Sequence, residues 1–303
     1  MARAIAFDEV RAGQVAIAVT EAATNLLTHA SEGQIVLNAF AAADDKRLQF
    51  HAIDKGPGMD MDRSLKDGFS TAGTPGNGLG AIRRLSSEFD VYSSAAGTVL
   101  FSAFDPKSTR TRMQVGSVRV PMKGELVCGD NFRVLHRPES CTILVADGLG
   151  HGILACEAAD TAVRLFANSR RSNPAALLED LHMGMRATRG AAAAIAQIDF
   201  RRMSVSYSGL GNIAASLCTG HAIRQMVSNN GTIGQEPARI KEFEYPWSPG
   251  TLLVMHSDGL QTRWQVDGYP GLLRRHPAVI AGILYRDFNR GRDDVGIVVA
   301  REA

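Results

Sequence analysis

Four apolar runs rich in β-branched residues carry acids at their ends. "FRVLHR" starts two residues after Asp130, "CTILVAD" closes on Asp147, "TLLVMHSD" closes on Asp258, and "DDVGIVVA" opens on Asp293 and Asp294. Runs of this length and composition read as strands bordering a core. One acid beside a glycine, as at Asp147-Gly148 or Asp258-Gly259, is most simply a turn former. Four such sites on core strands are more than turns require. Hard divalent cations take several oxygens, carboxylate and backbone carbonyl together, and often keep waters. Glycine after the acid lets a main-chain carbonyl come close to the metal. The pattern therefore points to a cation site at the strand ends.

The rest of the chain sets bounds on that reading. Its 303 residues suit two domains better than one core. A net charge of +2, with neither a basic stripe nor helix-turn-helix spacing, gives no support for nucleic acid as a partner. Residues 1–105 hold 9 Lys and Arg against 13 Asp and Glu, so the small positive excess lies in the second half. The start "MARAIAFDEV" lacks the apolar stretch of a signal peptide, and no segment has the length and apolarity of a membrane span. The expected location is the cytoplasm. Cys128, Cys141, Cys156 and Cys218 form no CxxC pair and read as reduced, packed thiols.

Periodicity predicts a helix from Asp8 to Ala30, with Asp8 as its N-cap, then strands at "QIVLNAF" and "RLQFHAID". A Gly/Pro/Asp-rich stretch from Lys55 to Gly78 is too long for a casual connection and is expected to be a functional loop. A helix at "LGAIRRLSSEF", a hairpin at "DVYSSAAGTVLFSAF" and a linker-like "DPKSTRTR" follow. The second half reads as clustered strands around two helices, about 152–171 and from Asn173-Pro174 to about 188, with a last helix at about 277–288. The expected fold class is α/β (α+β): two separate sandwiches of helices on sheets, at 1–105 and 113–303, joined by a linker at 106–112.

Three elements in the first part bear on a nucleotide. Glu21 and Asn25, four apart in "EAATNLLTHA", share one helix face. "DKGPGMD" offers Asp54, Gly56 and Gly58 after a strand, and "GTPGNGLGAIRRL" places Gly76, Gly78 and Gly80 before a helix. A carboxamide oxygen can help hold Mg²⁺, an acid can accept from an exocyclic amine, and glycines at a helix start let N–H groups approach phosphates. Singly, these are a solvated face, a turn and a tight connection. In this order they resemble the GHKL ATP-binding superfamily, and within it the small serine kinases that act as anti-sigma factors, over nearly all of residues 1–105. The resemblance implies a GHKL-type α/β sandwich that takes ATP with Mg²⁺. Asn25 would hold the cation, Glu21 act as base, Asp54 bind adenine and the Gly76–Gly80 run wrap the phosphates.

In the second part "DGLGHG", "SDG" and the late "DD" look like the metal-dependent PPM-type serine/threonine phosphatases, and within them the sporulation stage II E type, across 113–303. That resemblance implies a PPM-type α-β-β-α sandwich and a pair of Mn²⁺ or Mg²⁺ ions. Asp147, the Gly148 carbonyl, Asp258 and Asp293 would be ligands, with Asp130 a ligand or water-holder and Asp294 an adjunct. Relatives often carry Thr two residues after the acid pair, where this chain has Gly296. His151 stands open between a proton donor to the leaving serine oxygen and a histidine packed at a helix start. Arg133 is a possible phosphate contact or a solvated arginine. "CTGHAIR" has the C-x₅-R spacing of a cysteine phosphatase, but it joins two strand-like runs and reads as a hairpin turn.

The two resemblances together imply a protein phosphatase with an ATP-binding, kinase-like domain, acting on a phosphorylated STAS-domain anti-sigma antagonist or related switch protein. Two other readings stay open at this point. The first domain is then only a nucleotide sensor or docking module, or the whole is a non-catalytic anti-sigma-like binding protein.

Overall fold

In the computed structural model the residues described are 5, 7–42, 45–59, 78–105, 111–220, 222–235 and 239–303. They form two compact units: Met1–Arg110 with Arg274–Arg286, and Thr111–Leu273 with Asp287–Ala303. Of the linker expected at 106–112, residues 106–110 lie outside the described residues. The segment Arg274–Arg286 departs from that plan, since it belongs with the first unit although it lies far along the chain.

The first unit is built on a four-stranded antiparallel sheet in the order β1-β2-β4-β3, from β1 (Gln34–Ala42), β2 (Asp45–Ile53), β3 (Glu88–Ser94) and β4 (Gly97–Phe104). Helices α1 (Glu9–His29) and α2 (Gly78–Leu85) lie on one side. Asp8 caps α1 as expected, its side chain accepting from the Arg11 N–H at 2.7 Å. That bond satisfies a donor which has no partner inside the helix. Because side chains alternate along a strand, Leu48, Phe50 and Ala52 of β2 meet Val15, Ala18 and Ala22 of α1. His51 and Ile53 point the other way, and that face is covered as well. His51 Nε2 lies 3.0 Å from the Ala278 carbonyl, Phe101 stacks on His276, and a Cβ on Gly282 would come within 2.5 Å of Val99. With both faces covered, every residue of β4 is buried.

The second unit holds two five-stranded antiparallel sheets. One runs β11-β10-β13-β14-β5, from β5 (Met113–Val120), β10 (Ala214–Thr219), β11 (Ala222–Gln225), β13 (Leu252–His256) and β14 (Val295–Glu302). The other runs β12-β9-β8-β7-β6, from β6 (Asp130–His136), β7 (Ser140–Gly148), β8 (Ala191–Asp199), β9 (Ser204–Leu210) and β12 (Phe243–Pro246). Helices α3 (Ile153–Asn168) and α4 (Pro174–Gly184) pack on this second sheet. Ala158, Ala159, Ala162 and Phe166 of α3 and Leu177, Leu178 and Leu181 of α4 bury Leu144, Ala146, Ala193 and Ile195 of the strands. The alanines let α3 sit close, and Asn173 caps α4 with Pro174 in its first turn. Helix α5 (Pro277–Phe288) matches its expected bounds, and Pro277–Arg286 is buried throughout. As the sequence suggested, β10 and β11 make a hairpin, so the thiol of Cys218 meets no helix N-terminus and burial pushes it up to about 12.

Candidate active site

The register of β6 and β7 places Asp130 directly opposite Asp147. Cross-strand partners share a face, so the two carboxylates lie side by side at one end of the sheet. Gly148 continues from there. Its N–H donates to the Gly129 carbonyl at 3.0 Å, and a Cβ would stand 2.0 Å from the Ala155 carbonyl oxygen, so only glycine fits between the strand end and α3.

The β13–β14 side supplies the remaining acids. Ser257, just past β13, donates to Asp130 Oδ2 at 2.5 Å and accepts from the Gly296 N–H at 2.9 Å. At Gly296 a Cβ would meet the Asp130 side chain at 3.0 Å. The side chain missing at this position is thus what gives Asp130 room, and the hydroxyl at Ser257 holds it. Asp258 accepts from Asn212 Nδ2 at 2.7 Å, and Asp293 accepts the N–H of Asp294 at 2.9 Å. Asp294 turns inward: its Oδ1 accepts the Met122 N–H at 2.8 Å, and its Oδ2 would be 2.7 Å from a Cβ on Gly129.

Electrostatics mark these acids as a set. Asp147 and Asp130 are both held well above the usual carboxylate range, first by burial and then by the neighbouring carboxylates; for Asp130 the Ser257 hydrogen bond opposes the shift. Asp293 is raised by burial, with Asp258 and Asp294 adding to it against the Asp294 N–H. Two oxygens, Asp130 Oδ1 and Asp294 Oδ2, are buried without a hydrogen-bond partner. Unpaired buried acceptors are costly, and a cation offsets that cost. Among the described residues no group of three or more His, Cys, Asp and Glu side chains is close enough together to hold a metal ion by itself. A hard cation that also takes carbonyl and water oxygens fits such an open set.

His151 lies at the mouth, half exposed, with Nδ1 2.6 Å from Glu125 Oε1. Arg133 is buried, and its odd offset from Asp130 along β6 puts it on the other sheet face, so it is neither solvated nor aimed at the acids. Three participants had escaped sequence reasoning: Ser257, Glu125 and Asn212. Ser257 opens the "SDG" motif and Glu125 sits in the glycine-bounded "GELVCG", which were usable signals; Asn212 had none.

In the first unit, a Cβ on Gly78 would stand 3.0 Å from Glu21 Oε2 and 3.5 Å from Asn25 Nδ2, so the start of α2 meets the polar face of α1. Gly80 lies in the first turn of α2. Asp54 is buried after β2, its Oδ1 accepting from the N–H groups of Gly56 at 2.8 Å and Thr98 at 3.2 Å. Gly56 packs against that carboxylate, while Gly58, at φ +77°, passes so near the Ser94 carbonyl that a Cβ would be 2.2 Å from it. Gly76 lies outside the described residues.

An antiparallel two-sheet sandwich with buried acids at one end, joined to a helix-on-sheet unit with a Glu/Asn helix face, defines a PPM-type metal-dependent phosphatase coupled to a kinase-like ATPase fold. Comparison with known proteins agrees. The family described as stage II sporulation protein E (SpoIIE) matches residues 137–301, and the histidine kinase-like ATPase domain matches residues 1–102. The chain belongs to the SpoIIE family and is a protein serine/threonine phosphatase of that type, within the Rsb partner-switching group.

Two relatives come from Bacillus subtilis (strain 168). The phosphoserine phosphatase RsbX is 28% identical over 140 residues, covering 46% of this chain and 70% of RsbX. The serine/threonine-protein kinase RsbT is 36% identical over 96 residues, covering 31% of this chain and 72% of RsbT. A crystal structure of RsbX in complex with magnesium superposes with a TM-score of 0.54 at 22% identity, over 65% of this chain and 98% of that one. No helix among the described residues is long and apolar enough to cross a membrane.

Proposed function

We propose that the second unit hydrolyses phosphoserine or phosphothreonine on a partner protein with Mg²⁺ or Mn²⁺ held by Asp130, Asp147, the Gly148 carbonyl, Asp258 and Asp293. The observation that carries this is the Asp130–Asp147 pair, opposed across β6 and β7 and buried, with Asp130 Oδ1 left unpartnered. The cations supply charge neutralisation for a phosphoryl group of roughly −1.5 to −2 charge and an activated water for in-line attack. The chain's own residues do the positioning. Ser257 and the space at Gly296 fix the Asp130 carboxylate, and Asn212 fixes that of Asp258. With Nδ1 engaged by Glu125, Nε2 is the His151 nitrogen suited to protonating a leaving serine oxygen.

The test is hydrolysis of an aryl phosphate with Mn²⁺ by the wild-type protein and by Asp147→Asn. A loss of about 100-fold or more is expected. Equal rates in the two would sink the enzyme reading in favour of a non-catalytic binding protein.

The first unit would bind ATP–Mg²⁺, with Asn25 toward the cation, Glu21 as base, Asp54 toward adenine and the Gly76–Gly80 run toward the phosphates. Contact of Gly78 with both Glu21 and Asn25 supports this reading. By the resemblance of the two units to anti-sigma serine kinases and SpoIIE-type phosphatases, the partner of both would be a STAS-domain anti-sigma antagonist or related switch protein. Radiolabelled ATP with such a partner separates a kinase from a nucleotide sensor: binding without transfer removes the kinase role.

A further inference from the structure

Large apolar side chains exposed on the second unit are unevenly placed. Among its described residues they are Leu126 (97% exposed), Ile153 (69%), Leu154 (51%), Leu149 (38%), Met183 and Val227. Scattered exposed leucines need no explanation, but clustered ones mark interaction sites. Four of these six flank the acids. Leu126 is on the segment leading into Asp130, Leu149 follows Asp147 by two residues, and Ile153 and Leu154 open α3.

Contacts tie together the segments that carry the four. Glu125 Oε1 is 2.6 Å from His151 Nδ1, and its Oε2 would be 2.9 Å from a Cβ on Gly152, so the loop bearing Leu126 lies against the start of α3. On the other flank Leu154 lines a recess of ≈ 600 Å³ with Thr161, Arg164, Thr188 and Arg189. Arg189 Nη1 reaches back to the Leu149 carbonyl at 3.5 Å. The segments that bear the four residues therefore meet around the stretch from Asp147 to the start of α3, which carries His151. At 97% exposure Leu126 is covered by none of the described residues.

We propose that this apolar rim docks the residues on either side of the phosphoserine in the protein substrate, and that those residues are themselves apolar. The inference rests on the phosphatase reading above. The occupant follows from position. A protein that delivers a phosphoserine to the acids lays its flanking residues across the rim, and apolar side chains there leave water together with Leu126, Ile153 and Leu154. A small phosphate ester has no flanking residues to lay on the rim.

The test uses three substrates with Mn²⁺: an aryl phosphate, a phosphoserine peptide with Leu and Ile flanks, and the same peptide with Ser and Gly flanks. Wild-type protein is expected to favour the apolar peptide about tenfold in kcat/KM. The triple variant Leu126→Ser, Ile153→Ser, Leu154→Ser is expected to lose that preference while turning over the aryl phosphate at the wild-type rate. Should the triple variant lose aryl phosphate turnover as well, Leu126→Ser alone gives the same readout from a side chain that is 97% exposed. Equal turnover of both peptides by wild type, or a preference that survives substitution, overturns the proposal. Failure of wild type on all three substrates is a different result, since it removes the phosphatase reading itself and the rim proposal with it.

Discussion

Ser257 and Gly296 show how much a single hydroxyl and a missing side chain settle at this site. The Ser257 hydroxyl is the donor on Asp130 Oδ2, in a buried setting. A hydrogen bond to a charged group is worth about 1.5–3 kcal/mol, so Ser257→Ala is expected to lower Tm and weaken Mg²⁺ binding, with Ser257→Thr restoring part of both. Calorimetric titration with Mg²⁺ checks it; unchanged affinity in the alanine variant counts against the role. The raised Asp130 and Asp147 make a second prediction. Above the ordinary carboxylate value of about 4, the folded cation-free protein keeps protons that the unfolded chain has released, so its stability falls as pH rises. In chelator, Tm should decline from about pH 5 to about pH 8, and Mg²⁺ should flatten the decline. A chelated protein whose Tm climbs over that range contradicts the assignment. The acids themselves were legible because each borders an apolar run, and Asp147 and Asp258 close theirs beside a glycine. Asn212 was not, since its contact with Asp258 depends on a fold that brings residues 46 apart together.

Among the elements, β2 and β4 were readable as strands, but not the fact that both their faces are covered. Period-2 alternation assigns one apolar face to α1; it does not say what lies on the other. Helix α5 was predicted at its correct bounds, yet nothing in "PAVIAGILYRDF" names the sheet it joins, because an apolar helix fits any apolar face. His51 reports on this packing. Burial lowers it to about 4, with the Ala278 carbonyl opposing that shift and His276 adding to it, so the imidazole is neutral at pH 7. A depressed histidine contributes stability that is full above about 6.5 and is lost as pH falls through the folded value near 4. Hydrogen exchange at the amides of α5 should therefore quicken relative to those of β7 when the pH is lowered from about 7 to about 4.5, after correction for intrinsic rates. Parallel behaviour of the two elements would argue against His51 as the sensitive group. At the start of α3, Gly148→Ala should cost more than a helix-propensity change, because its methyl meets the Ala155 carbonyl at 2.0 Å. Loss of aryl phosphate hydrolysis and a lower Tm are expected together.

At the scale of the whole molecule, the order of motifs revealed two functional parts, since each motif set is local in sequence. The membership of Arg274–Arg286 in the first unit was not legible, because it is a contact across some 170 residues or more: Ala278 to His51, His276 to Phe101, Tyr285 to Gln34. The first unit is consequently discontinuous. A polypeptide ending at residue 110 contains all the residues proposed to face the nucleotide but leaves one face of β2 and β4 bare. Uncovering a buried Val, Ile or Phe costs about 1.5–3 kcal/mol each, and Val99, Phe101 and Ile53 share that face. Such a fragment is expected to be aggregation-prone, and residues 274–286 supplied through a flexible linker should restore a monomeric, cooperatively melting protein. Size-exclusion chromatography decides this, and a well-behaved monomer of residues 1–110 alone would refute it. The two parts of this chain are thus not a cassette pair separable by one cut, and a swap of the ATPase-like unit between relatives has to carry its distant helix along.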